Sequence, residues 1–485
     1  KFSKEIKKEK IYFSEHHLSH AASAFYPSKF KKSLILTLDA VGEWTTTSLS
    51  IGNENKIEIK ETINFPHSLG MLYSAFTYYL GFKVNSGEYK MMGLAPYGKP
   101  IFKEKILSKL ISVKNDGSFK LNMSFFNFLT GETMINEKFE QLFEKKKRVA
   151  EHEKLTQFHM DVAASIQLVL EEIILKILNH FRKKYNIENL CLAGGVCLNC
   201  VSNGKILESN LFKKIWIQPA AGDAGGALGA ALAFWHMHLG NQRIFSKNID
   251  EMKGSLLGPS YDDDEIKNTL DNLKANYIKL SEEDMLKNIS KEIAIGKSVG
   301  WFQGKMEFGP RSLGSRSILA DPRNPNMQKE LNVKIKFRES FRPFAPSVIY
   351  EDIANYFNIN IPSPYMQLVS TIKNEIRTDN TNDSKLFGIE RLNEARSEIP
   401  AVTHVDYSAR IQTVHKETNE KYFNLIKKFK EKTNCPVVVN TSFNVRGEPI
   451  VNTPLDAFNC FMGTELDKLV IGDCYLDKNN QDPSL

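Results

Sequence analysis

"LAGGVCLN", residues 192–199, places two glycines between an apolar run and a helix-forming stretch. Gly194 and Gly195 carry no side chain, so a nucleotide can approach the backbone there, and a helix N-terminus beyond them favours negative charge. A second glycine-rich element follows in "PAAGDAGGALGAAL", residues 219–232, with Asp223 at the mouth of an apolar, small-residue helix. The surroundings alternate: a strand "LCLAGG", a strand "IWIQP", then the helix at 222–235. Upstream, Gln157 to Tyr185 lacks Gly and Pro and is apolar at helical spacing (Val162, Ile166, Val169, Leu170, Ile173, Ile177), which predicts one long packed helix. "SLILTLDAVGEW" reads as a buried strand, Leu34 to Leu38, ending in Asp39 and a glycine turn. Carboxylates just beyond a strand's C-terminal end are where α/β proteins place ligands. The alternation gives the fold class as α/β.

With 485 residues and 42% hydrophobic content, the chain has the length of two or three domains and the composition to bury a core. Lys and Arg exceed Asp and Glu by 64 to 57; that +7, spread over a large surface, does not argue for nucleic acid. No apolar run reaches the roughly 18 to 20 residues of a membrane span, and no signal peptide is visible, so a cytoplasmic protein is expected. Lys1 is not a methionine and a strand signal follows almost at once, which predicts a trimmed or incomplete chain. Six cysteines do not make a disulfide scaffold. Cys197 and Cys200 form a CxxC with no second pair for a zinc ribbon, and packing is their expected role.

Around "GSLLGPSYDDDEI" the pattern changes, and a boundary near Leu257 divides the chain into 1–257 and 258–485. The second half has a helix from Glu282 to Ile295, a strand "SVGWF", a strand "PVVVN" and a helix start in which Thr453 is N-cap, Pro454 opens the helix and Asp456 sits in its first turn. The polar stretch "IKNEIRTDNTNDSKLFG", residues 372–388, is expected to be a mobile surface loop.

In "EHHLSHAASAF", residues 15–25, His16 and His20 share one face if the segment is helical, and His17 points elsewhere. Two such histidines are metal ligands or merely polar residues at a helix start. A zinc peptidase would carry Glu after the first histidine, where this chain has His17. Asp39 and Asp223 add two carboxylates, and a site of two imidazoles and two carboxylates suits Fe, Mn or Zn better than Mg. In the second half, "GKMEFGPRSLGSRSI" and "NVKIKFRESFRPFAP" crowd Arg311, Arg316, Lys336, Arg338 and Arg342 among apolar and aromatic residues. An anion pocket and a salt-bridge network both fit, and the density of Phe and Pro favours the pocket. "VNTSFNVRGEP" ends a strand in Asn440, Thr441, Ser442 and Asn444, followed by Arg446, a candidate phosphate loop.

The two glycine-rich elements together resemble the phosphate and nucleoside loops of an actin-like ATPase. More specifically, "HHLSHAASAFYPS", "NSGEYKMMGLAPYG", "AGGVCLNCVSNGKI", "QPAAGDAGGALGAAL", "GWFQGKMEFGPRSLGSRSILADPR" and "NTSFNVRGEPIV" resemble the O-carbamoyltransferase family of nodulation-factor and antibiotic biosynthesis, from about Ile11 to Asp473. The resemblance implies an actin-like carbamoyl-transfer domain over 1–257 and a YrdC-like domain over 258–485. It implies that the second half makes carbamoyl adenylate from carbamoyl phosphate and ATP with Mg2+, and that the first passes the carbamoyl group to a hydroxyl of a small molecule or sugar. His16, His20, Asp39 and Asp223 would hold the metal, with Fe2+ expected ahead of Mn2+ or Zn2+, and Asp39 and Asp223 would also serve catalysis. Gly194, Gly195 and Asn199 would hold the adenylate; Arg311, Lys336, Arg342, Arg410 and Arg446, with Asn440 and Ser442, would bind carbamoyl phosphate and ATP phosphates. No membrane or nucleic-acid partner is expected, and a homodimer is left open. Members of that family begin with a further strand and turn that this chain does not show, which would remove part of the nucleotide and acceptor pocket. Cys197 stands where a small residue such as alanine is usual, a change expected to be neutral. A tRNA threonylcarbamoyladenosine-type modification enzyme and a non-catalytic nucleotide-binding regulatory protein are the competing readings; fusion of both halves and the "EFGPRSLG" block favour the small-molecule enzyme.

Overall fold

The computed structural model describes residues 11–245, 250–378 and 388–483. The polar stretch expected as a loop lies largely outside the described residues, at 379–387. Contacts divide the chain into units Lys1–Glu251 and Met252–Leu485. The break precedes Leu257 because the intervening turn is tied to the second unit: Phe308 N donates to Ser255 O at 2.7 Å, and Gly258 N donates to Met306 O at 2.9 Å.

The first unit is built on β1 (Lys32–Gly42), β2 (Thr45–Asn53), β3 (Lys56–Asn64), β4 (Asn189–Ala193) and β5 (Lys214–Ile217), in the sheet order β3-β2-β1-β4-β5. β1, β2 and β3 pair antiparallel, whereas β4 runs parallel to β1 and β5 parallel to β4. Leu34, Ile35, Leu36 and Leu38 are all buried, because a central strand covered on both faces needs an unbroken apolar run rather than alternation. β1 extends past its expected end: it continues to Gly42, and its pairing register with β2 breaks between Leu38 and Gly42. Asp39 therefore sits in an irregular stretch of strand, not after it.

Five helices matter for the site: α1 (His16–Phe25), α2 (Leu69–Tyr79), α3 (Gln157–Tyr185), α4 (Cys200–Glu208) and α5 (Asp223–Ala233). The apolar face predicted for α3 is buried, and the helix stops where Asn186 turns left-handed at φ 48°. α1 buries its alanines and Phe25 against Ile35, Cys191, Ala193 and Ala233. The small residues of α5 have a packing reason: a Cβ at Gly229 would lie 1.7 Å from Ser19 O, so the backbones of α5 and α1 meet almost without side chains between them.

The second unit carries a nine-stranded sheet. Its strands are β6 (Ile278–Lys279), β7 (Val299–Phe302), β8 (Arg316–Ala320), β9 (Ala345–Ile349), β10 (Leu368–Thr371), β11 (Ser408–Val414), β12 (Val437–Ser442), β13 (Lys468–Ile471) and β14 (Cys474–Asp477). Their order is β10-β11-β9-β12-β8-β7-β13-β14-β6. Only β9–β11 and β7–β13 are parallel pairs in this sheet as described. α6 (Glu282–Ala294), α7 (Glu420–Thr433) and α8 (Pro454–Met462) have their apolar faces buried. Thr453 Oγ1 accepts from Asp456 N at 3.1 Å while Asp456 accepts from Thr453 N at 2.9 Å, the reciprocal cap expected from "TPLD". Among the described residues no helix is long and apolar enough to cross a membrane.

Candidate functional site

The start of α1 puts His16 and His20 one turn apart on a single face. The break in β1 turns Asp39 toward them, and docking of α5 delivers Asp223 from its first turn. His16 Nε2 lies 2.9 Å from Asp39 Oδ2 and 3.0 Å from His20 Nε2. His20 Nε2 is 3.4 Å from Asp39 Oδ2, and both imidazole nitrogens are 3.5 Å from Asp223 Oδ1. One donor atom from each residue lies within 4.8 Å of every other. A tetrahedral shell with bonds of about 2.1 Å has ligand–ligand edges of about 3.4 Å, so these two nitrogens and two oxygens fit a first-row divalent ion. The other ring nitrogen of His20 is buried with no hydrogen-bond partner among the described residues, so the ring's polar contacts are those at Nε2.

The electrostatics suit a cation. Burial would raise the Asp39 carboxyl, but hydrogen bonds from His16 and His20 outweigh it and hold the group well below the usual carboxylate range. The bond to Asp39 raises His16. Asp39 is 7% exposed, and its second oxygen accepts from Gly195 N at 3.2 Å, whereas the Asp223 side chain is 80% exposed. His17 turns away, with Nδ1 2.8 Å from Ser48 Oγ, and burial pushes it down to about 4. Gly42, the glycine of the turn expected after Asp39, makes room for the site: a Cβ there would lie 2.3 Å from His16 Cδ2.

The glycine pair serves the backbone first. Gly194 adopts φ 92°, and a Cβ on it would strike Leu38 O at 2.1 Å, so β4 can pass β1 here only as glycine. The helix expected directly after the pair is displaced: a 3-10 turn, Gly195–Leu198, intervenes, and α4 starts at Cys200 with Asn199 as its cap. Asn199 Oδ1 accepts from Ser202 N at 3.0 Å, and its amide donates to Gln167 Oε1 at 2.9 Å. Tyr73 donates to the same Gln167 oxygen at 2.8 Å, and Gln167 donates to Glu171 at 2.7 Å. This buried network was not legible beforehand, because Gln167 and Glu171 read as ordinary polar positions of a long helix.

In the second unit, Lys336 is 3% exposed and burial lowers it well below the usual amine value. Its Nζ donates to Ser442 O, to Ser442 Oγ at 3.2 Å, to Asn444 O at 3.0 Å and to Asn444 Oδ1 at 2.7 Å. Asn440 is 1% exposed and donates to Ser312 O at 3.2 Å and Gln412 Oε1 at 2.8 Å, joining the "NTSFN" loop to the residue after Arg311. Arg311 is half-buried on a loop whose shape comes from Glu307, which accepts the amides of Leu313 at 2.7 Å and Ser315 at 2.8 Å. Arg342 and Arg446 both reach Glu339, at 3.8 and 3.6 Å. Arg410 lies on β11, opposite Val369. Arg316 does not join the anion-binding set: it is fully buried, stacks 3.6 Å from the Phe302 ring centroid, and gives its guanidinium to the carbonyls of Gln303, Ser315 and Gly304 at 2.9 to 3.1 Å. All six cysteines are free and buried, Cys197 and Cys200 included.

The chain matches the family described as carbamoyltransferase N-terminus over residues 2–232 and that described as carbamoyltransferase C-terminus over 290–478. An uncharacterized protein of Synechocystis is 56% identical over 97% of this chain and 77% of its own length. Nodulation protein NolNO of Sinorhizobium fredii is 36% identical over 99% of this chain and 66% of its own. Nodulation protein NolO of Bradyrhizobium diazoefficiens is 35% identical over 94% of this chain and 77% of its own.

Proposed function

The chain belongs to the carbamoyltransferase family and is an enzyme of carbamoyl transfer; from that premise we propose an ATP-dependent O-carbamoyltransferase that works through carbamoyl adenylate. The observation that carries the reading is the convergence of His16, His20, Asp39 and Asp223 from α1, β1 and α5 onto one point. Carbamoyl phosphate and ATP are the proposed donors, and a hydroxyl of a small molecule or sugar is the proposed acceptor.

Release of pyrophosphate requires a carbamoyl oxygen to attack the α-phosphorus of ATP. Carbamoyl phosphate must therefore first lose phosphate to water, leaving carbamate, whose oxygen then displaces pyrophosphate. Both steps move charge between phosphate oxygens, and charge neutralisation by fixed cations is what they need. Arg311, Lys336, Arg342, Arg410 and Arg446 supply it in this reading, with Asn440 and Ser442 setting the loop that holds Lys336. The second unit would act as the YrdC-like half. In the first, the sheet order β3-β2-β1-β4-β5 supports an actin-like assignment, with Gly194, Gly195 and Asn199 at the adenylate. The acceptor oxygen attacks the carbamoyl carbon, AMP leaves, and the hydroxyl proton goes to a base. Asp39 is buried and engaged at both oxygens, so it positions the imidazoles; the exposed Asp223 carboxylate is the group a hydroxyl can reach. A bound Fe2+, Mn2+ or Zn2+, held by His16, His20, Asp39 and Asp223, would supply Lewis acidity at the carbamoyl carbonyl.

The chain incubated with ATP, Mg2+ and carbamoyl phosphate is expected to release pyrophosphate only when carbamoyl phosphate is present, and to release AMP when a sugar hydroxyl is added to take the carbamoyl group. Release of ADP, or turnover indifferent to carbamoyl phosphate, would refute the adenylate route.

A further inference from the structure

We propose that Arg243 is a positioning residue for the His16/His20 site, clamping the far end of α1 and thereby fixing where both imidazoles stand. The proposal rests on the metal reading above. α1 is packed along its length but lacks terminal capping devices: Glu15 gives no side-chain cap, the last turn holds no basic residue, and Tyr26 at the C-cap is right-handed. Its end is held from outside. Arg243 Nη2 donates to Phe25 O at 2.9 Å, Tyr26 O at 3.1 Å and Ser28 O at 2.9 Å, and Nη1 donates to Phe30 O at 2.9 Å and Glu54 O at 3.3 Å. The guanidinium lies over the rings of Phe25 and Phe245, 4.3 and 4.7 Å from their centroids. Asn55 locks the arginine's own backbone: its Oδ1 accepts from Arg243 N at 3.2 Å, and its amide donates to Asn241 O at 2.6 Å.

Five carbonyls on one fork suit arginine and no other side chain, and the positive charge meets the negative end of the α1 dipole. The lever is long. Phe25 is about 13.5 Å along the helix from His16 at 1.5 Å per residue, so a tilt of about 5° at the clamped end moves His16 by about 1.2 Å. Metal–ligand bonds tolerate about 0.2 Å. A loosened end therefore need not unfold α1 to spoil the site.

The test uses the full chain as wild type, Arg243→Lys and Arg243→Ala, with Co2+ as the probe. Four quantities are read: melting temperature and hydrogen exchange across 15–28 in metal-free protein, and the dissociation constant and visible absorption of the Co2+ form. Arg243→Lys is expected to stay folded, to exchange at least tenfold faster across α1 with α3 unchanged, and to bind Co2+ at least tenfold more weakly with a shifted absorption band. Arg243→Ala should exceed it in both, and added guanidinium ion should partly restore Co2+ binding. If Arg243→Ala does not fold, Arg243→Lys decides alone. Unchanged α1 exchange overturns the clamp; faster exchange with wild-type Co2+ affinity overturns its role at the site. A wild-type chain that takes up no Co2+ refutes the metal reading itself, and is told apart because no variant is needed to see it.

Discussion

Asp39→Asn removes a charge and leaves the outline of the side chain intact. The amide oxygen can still accept from Gly195 N, now at 3.2 Å, while its NH2 faces the two imidazole nitrogens that the carboxylate holds at 2.9 and 3.4 Å. A charge-assisted hydrogen bond is worth about 1.5–3 kcal/mol. Counting the short contact in full and the longer one at a fraction gives about 2–4 kcal/mol of lost stabilisation of a bound cation and its ligands. That corresponds to a weakening of roughly 30- to 1,000-fold in metal affinity. Stability should behave differently, because losing a buried carboxylate also removes the cost of keeping it from water. The metal-free variant is therefore expected to melt within a few degrees of wild type. Chelator competition with Zn2+ or Co2+, alongside thermal melts of the metal-free proteins, measures both. Metal affinity within threefold of wild type would mean that Asp39 only orients His16 and is not part of the binding shell.

Arg311→Lys keeps the charge and discards the planar fork; the melting temperature should stay nearly unchanged while carbamoyl-phosphate-dependent pyrophosphate release falls at least tenfold, and wild-type kinetics would make Arg311 structural. His159, 2% exposed and pushed down to about 4 by burial and by Lys145 and Arg148, should make the fold acid-sensitive. Between the ordinary value of 6.5 and about 4 the unfolded chain binds the extra proton, so stability falls as pH drops through that window, by up to about 3 kcal/mol; urea midpoints at pH 7 and 4.5 should differ accordingly, and less in His159→Gln. Burial pushes the Cys197 thiol up to about 12 and Cys191 to about 11, so neither should react with iodoacetamide at pH 8 until the chain is unfolded, and Cys197→Ala should leave metal content unchanged.

What could be read in advance was what short-range pattern encodes. The extent of α3, the start of α8 and the pairing of His16 with His20 on one face follow from periodicity and caps a few residues apart. Asp39 and Asp223 could be picked out as unusual, but their meeting depends on β1 pairing with β4 and on α5 lying against α1, contacts spanning much of the unit. Charge type was legible and partnership was not. Arg316 and Arg311 share the "RSLGSR" segment, yet Arg316 is spent on buried carbonyls, because its position opposite Phe302 on paired strands points it inward. Lys336 meets Ser442 across 106 residues, a contact no local pattern announces. The glycines of "LAGGVCLN" suggest space for a ligand in the sequence, but Gly194 is required first by the backbone of β1.

The most direct test of the two-step account is isotope exchange of labelled pyrophosphate into ATP, compared with carbamoyl transfer from labelled carbamoyl phosphate to a panel of sugar hydroxyls, in wild type and in His16→Ala/His20→Ala. Adenylate formation belongs to the second unit in this account and transfer to the first. Exchange should require carbamoyl phosphate and survive the double substitution within about threefold, while transfer to the hydroxyl drops by at least two orders of magnitude. Loss of pyrophosphate exchange together with the histidines would contradict that division.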